Sequence, residues 1–204
     1  MPISPKDAAD DCLDRAKQML CTGCVAGPPA DDLRRMALVM GVAALDTYMH
    51  ALVLTHLSAN RAELPKPLQR LAVDFRELTQ LAEKVVVAQR RDRTSRPWVQ
   101  VKNALHRKLL TMTFQAYEDV GTAMAMVGVK KGWEMVAREM GCTPVEIKAA
   151  LGGLVYRRDQ IVHEGDIRRL VRPRAVQRNP IDPEQVKADL DWLGGLIAAI
   201  DATA

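Results

Sequence analysis

The chain of 204 residues carries a formal net charge of +4, with 48% hydrophobic and 26% charged residues. These values exclude a disordered or collagen-like polymer and describe a single globular domain, 1–204, long enough to bury a core. So modest a charge also excludes wholesale attraction to a polyanion, and any preference for nucleic acid must come from local clusters of arginine.

The opening MPISPKDAADD lacks the basic and apolar regions of a signal peptide, so a cytoplasmic protein is expected. Positions 7–20 form an amphipathic helix with Ala8, Cys12, Ala16, Met19 and Leu20 on one side. With the Gly- and Pro-containing segment that follows, this helix is expected to be a peripheral appendage, 1–30, on a bundle core, 31–204. The pair Cys21 and Cys24 is joined only by Cys12 and Cys142, without the spacing of a zinc ribbon or a strand before it. No metal and no cofactor are expected.

Positions 31–58 give the longest apolar helix, apolar almost all round and expected at the centre of the bundle. Asp46, Thr47, Tyr48 and His50 interrupt it and argue against a membrane span. Asp46 stands out, because a carboxylate in such a helix must be paired or hydrogen-bonded. Its candidate partners are His50, one turn on, and Arg158 or His163 from a later helix.

Pro65 and Pro67 break the chain, after which 68–89 has Leu71, Phe75, Leu78, Leu81 and Val85 in helical step. A polar run with Arg90, Arg91, Arg93 and Arg96 precedes a helix opening at Pro97, with Val101, Leu105, Leu109 and Leu110 expected inward. Shorter helical pieces follow at 114–127 and 132–140.

The stretch 143–166, TPVEIKAALGGLVYRRDQIVHEGD, has both helix ends written in it. Thr143 is the N-cap, Pro144 takes the first helical position, Glu146 closes a capping box and Gly165 supplies the stop. Ile147, Ala150, Leu151, Leu154, Val155, Ile161 and Val162 share one stripe, with Arg158 near its middle. His163 lies about 140° from Arg158 around the helix, and Asp159, its i−4 neighbour, is placed to orient the imidazole. Beyond it Arg168, Arg169, Arg172, Arg174 and Arg178 follow without an intervening acid, in a segment that Pro173 and Pro180 make irregular. Asp182, Pro183 and Gln185 then open a last helix to about 202, with Val186, Leu190, Leu193 and Ile197 facing inward.

RRDQIVHEGD resembles the R-x4-6-H signature of the HEPN superfamily, in particular its RiboL-PSP-HEPN branch. The resemblance extends to ALVMGVAALDTYMHALV, RPWVQVKNALHRKLL, TFQAYEDV and the terminal DPEQVKADLDWLGGLIAAID. It implies an all-α, up-and-down helical bundle of HEPN type with additional helices. It also implies a metal-independent endoribonuclease, a toxin or defence effector acting on RNA at a homodimer interface and restrained by an antitoxin protein. In that reading Arg158 and His163 are catalytic, and Asp159 and Asp46 support them. Arg157, Arg168, Arg169, Arg172 and Arg174 are then candidates for phosphate contact. The chemistry suits the residues, since RNA brings its own nucleophile in the 2′-hydroxyl and needs only proton transfer and charge stabilisation. The alternative is a non-catalytic helical module that binds RNA or protein. A nucleotide-modified toxin is disfavoured, because that subtype has tyrosine where this chain has Gly165.

Overall fold

The computed structural model describes residues 3–22, 28–59, 64–72, 74–90, 97–169, 171 and 175–204. Within them the protein is an all-α bundle of nine helices. In order these are α1 (Pro5–Thr22), α2 (Pro28–Ala59), α3 (Lys66–Gln69), α4 (Phe75–Arg90), α5 (Pro97–Leu109), α6 (Tyr117–Met126), α7 (Gly132–Met140), α8 (Pro144–Glu164) and α9 (Pro183–Thr203).

The near-continuous apolar surface of α2 puts it at the centre, against α1, α5, α6, α8 and α9. Ala37, Leu38, Val42, Ala44, Leu45, Tyr48, Met49 and Val53 are all buried by these neighbours. Among the described residues α2 is the one helix long and apolar enough to cross a membrane. A Cβ on Gly41 would collide with Leu190 of α9, so glycine there sets how closely the two helices approach. Tyr48 adds a polar tie by donating to Asp201 Oδ1 at 3.0 Å.

α1 is not the peripheral appendage expected from the sequence. It lies along α2 and reaches α9, and Ala9, Leu13 and Ala16 are in the core. Its alanines explain this, since they let the backbones come close while the polar face stays outside.

The middle of the chain departs most from expectation. Instead of one helix from 68 to 89 there is a single turn, α3, then a break, then α4. Phe75 is 77% exposed and Leu78 49%, although their spacing suggested burial. The reason is tertiary, because α4 packs on α5 and on no other helix to a comparable extent, so its apolar stripe is only partly covered. Leu110, also expected inward, lies past the end of α5 and is 67% exposed. Phe114, expected to begin a helix, instead sits in the loop before α6 with its ring fully buried.

α8 begins and ends where its sequence says. Thr143 accepts from the Glu146 N–H while Glu146 accepts from the Thr143 N–H at 2.7 Å, and Gly165 closes the helix at φ 62°. Lys148, near its start, pairs with Glu118 and lies 5.4 Å from the ring centroid of Tyr117, fixing α8 to α6. In α9 Asp182 caps through the Glu184 N–H, but Gln185 turns to Asp189 instead of closing the expected box.

Candidate functional site

The C-terminal turn of α8 is held by a buried ionic cluster built around Asp166. This residue follows Gly165 and is itself left-handed at φ 57°, a conformation aspartate tolerates better than most residues. The two consecutive left-handed residues turn the chain so that the Asp166 carboxylate points back into the protein, with its side chain fully buried. Arg35 of α2 donates through Nε to Oδ2 at 2.6 Å. Arg157 donates to both oxygens, and Asn179 donates to Oδ1 at 3.0 Å. Arg35 also reaches the Asn179 carbonyl at 2.8 Å and Asp32 at 3.1 Å.

Burial pushes the Asp166 carboxyl up, but the hydrogen bonds from Arg35, Arg157 and Asn179 and the charge of Arg157 outweigh it. The group is therefore held below the usual aspartate value. The same residue closes the arginine loop, since the Asn179 N–H donates to the Asp166 carbonyl at 2.9 Å and Ile167 forms an antiparallel bridge with Arg178.

His163, in the last turn of α8, takes no part in this cluster. It is exposed, and among the described residues neither ring nitrogen has a hydrogen-bond or ion-pair partner. Asp159 does not orient it, contrary to expectation. Its Oδ1 instead accepts from Arg158 Nη1 at 2.6 Å. The Arg158 side chain is 18% exposed. Its remaining donors make no bond among the described residues yet are not sealed from solvent. Arg158 thus combines a fixed position with spare hydrogen-bonding capacity.

Asp46 is not part of this constellation. Its Oδ1 accepts from the Phe114 N–H at 2.5 Å and lies 3.6 Å from His50 Nδ1. His50 in turn reaches the Asp46 carbonyl at 2.8 Å and the Leu109 carbonyl at 2.9 Å. The carboxylate therefore ties α2 to the chain between α5 and α6, a structural task that leaves Arg158 and His163 without it. The charge that α2 does bring to α8 is Arg35, in its second turn.

Of the arginines proposed for phosphate contact, Arg157 is committed to Asp166 and to the Pro180 carbonyl at 3.2 Å. Arg169 is exposed and pairs with Glu164 at 2.7 Å, while Arg168 is exposed with no side-chain partner among the described residues. Arg172 and Arg174 lie outside the described residues, as do Arg91, Arg93, Arg96 and Cys24. Cys12, Cys21 and Cys142 are free thiols.

The site thus comprises an exposed imidazole, a largely buried arginine side chain about one and a half turns before it, and, just past the helix end, the exposed Arg168 and Arg169. Such a set can transfer protons and bind a phosphate oxyanion. No family model, no curated protein and no solved structure matches the chain.

Proposed function

We propose that the protein is a metal-independent endoribonuclease in which His163 moves protons and Arg158 stabilises charge on the scissile phosphate. The observation that carries this reading is the presence, at one helix end, of an exposed His163 without partners among the described residues and an Arg158 with donors to spare. The resemblance of RRDQIVHEGD to the HEPN signature supports it.

In the reaction, His163 takes the proton of the 2′-hydroxyl as that oxygen attacks phosphorus. The phosphorus–5′-oxygen bond breaks, and the leaving 5′-oxygen takes a proton from a second imidazole or from water. Arg158 gives hydrogen bonds that strengthen as charge builds on the phosphorane oxygens. In chelator, purified protein should degrade RNA and leave DNA of the same sequence intact, since DNA lacks the attacking hydroxyl. Equal degradation of both would remove the mechanism.

A homodimer belongs to the proposal. On one chain Arg158 and His163 are about 140° apart around α8, so a two-fold pairing that brings one chain's arginine to the other's histidine completes the site. Val162, one turn after Arg158 and 50% exposed, and Ile167, just past the helix end and 48% exposed, supply apolar surface for that contact. Sedimentation equilibrium should give a dimer at micromolar concentration, and a monomer there would count against the paired site. An antitoxin that covers the same face would restrain the activity.

One observation favours the alternative of a non-catalytic binding module. Arg158 is paired with Asp159 and Arg157 with Asp166, which neutralises two cations that a phosphate would otherwise engage.

A further inference from the structure

α8 and α9 each pack on α2 and α7, and a cleft of about 430 Å³ remains between them. Its size falls in the range of small-molecule sites. The gap exists because α8 turns Ala149, Ala150 and Gly153 toward it, and no atom lies within 4 Å of where a Cβ on Gly153 would stand. From α9, Gln185, Ala188, Asp189 and Trp192 recur at helical spacing along the opposite wall. Because Arg157 reaches the Pro180 carbonyl just before α9, the two helices run antiparallel here. Gln185 faces the Arg157 end and Trp192 the Ala149 end.

Asp189 is the carboxylate of the cleft, and it has acceptor capacity left over. Asp189 is half-buried, and its one hydrogen bond comes from Gln185 Nε2 at 2.8 Å, with no cation paired to it among the described residues. Burial pushes its carboxyl up, against the opposing effect of the Gln185 bond. The carboxylate therefore has room for further donors, in a slot that also offers the Trp192 indole and a floor of Ala149, Ala150 and Gly153. A flat aromatic ligand with two adjacent N–H donors meets all three conditions. Among the RNA bases, guanine has this edge, in N1–H and the N2 amino group, whereas adenine and cytosine place an acceptor beside their amino group and uracil has a single N–H.

We propose that the α8–α9 cleft is a guanine-binding subsite, in which the base lies against Trp192 over Gly153 and donates to Asp189. Its phosphate is then directed to the Arg157 end, the end nearer His163 along α8. The identity of the occupant rests on the RNA reading above, but the test is one of binding and does not require cleavage.

Calorimetric titration of the full chain with GMP, AMP, CMP and UMP should show GMP binding tighter than the others by about tenfold or more, the scale of a charge-assisted hydrogen-bond pair. Asp189→Asn replaces an acceptor with a donor and should weaken GMP by about the same factor. Gly153→Leu should abolish GMP binding while the melting temperature holds or rises, because the cleft has room for the side chain and glycine is a poor helix former. Equal affinity for the four nucleotides, absence of GMP binding, or wild-type GMP affinity in Asp189→Asn would overturn the subsite. RNA cleavage without GMP binding would remove the subsite and leave the nuclease, whereas GMP binding without cleavage would do the reverse.

Discussion

Replacing Asp166 by alanine is expected to destabilise the protein by about 3–5 kcal/mol, the usual cost of removing one partner from a buried ion pair. The effect should be this large because Arg35 would be left in the interior with Asp32 as its one carboxylate partner among the described residues. For a domain of this size the melting temperature should fall by roughly 10 °C. Asp166→Asn keeps the shape and loses the charge, so it should fall between alanine and wild type.

The pH dependence has a definite sign. The folded Asp166 carboxyl is held below its ordinary value, so its contribution is fully present above about pH 3.9, the usual aspartate value, and is lost as pH falls through the lower folded one. A thermal melt series should therefore show the Asp166→Asn and wild-type curves converging only in strong acid. Curves that stay parallel through strong acid as well would mean the cluster contributes nothing through charge.

His163→Ala should have the opposite profile. The ring is exposed and makes no hydrogen bond among the described residues, so its removal should leave the melting temperature at the wild-type value. RNA cleavage, by contrast, should drop by about two orders of magnitude or more, the scale of a general acid–base group. A variant that melts and cuts as wild type does would reduce His163 to a surface residue. Asp159→Ala should act through Arg158, whose guanidinium it holds, and not through the imidazole.

Much of this architecture was legible in the residues. The boundaries of α8 follow from Thr143, Pro144, Glu146 and Gly165 because caps are local, and local hydrogen bonds are encoded by neighbouring residues. The centrality of α2 follows from its apolar circumference.

Partnerships across the bundle were not legible in the same way. A helical wheel says which face a charge is on but not which turn of another helix it meets. Of the partners open to Asp46, the structure gives it His50, one turn on in the same helix, and not Arg158 or His163, while the carboxylate–arginine contact between α2 and α8's end is made by Arg35 and Asp166. The signal for it was present in hindsight, as an arginine followed by an apolar run at the start of α2 and an aspartate placed directly after the helix-stopping glycine. The exposed stripe of α4 failed for a related reason, since amphipathicity states that a face can be covered and not that anything covers it.

The central claim, cleavage by the RNA's own 2′-hydroxyl, is tested most directly by mass spectrometry of the fragment ends. A defined RNA incubated with the purified protein in chelator should yield 2′,3′-cyclic phosphate and 5′-hydroxyl termini, and His163→Ala should yield neither. Fragments ending in 3′-hydroxyl and 5′-phosphate, or an RNA left whole by the wild-type protein, would contradict the account.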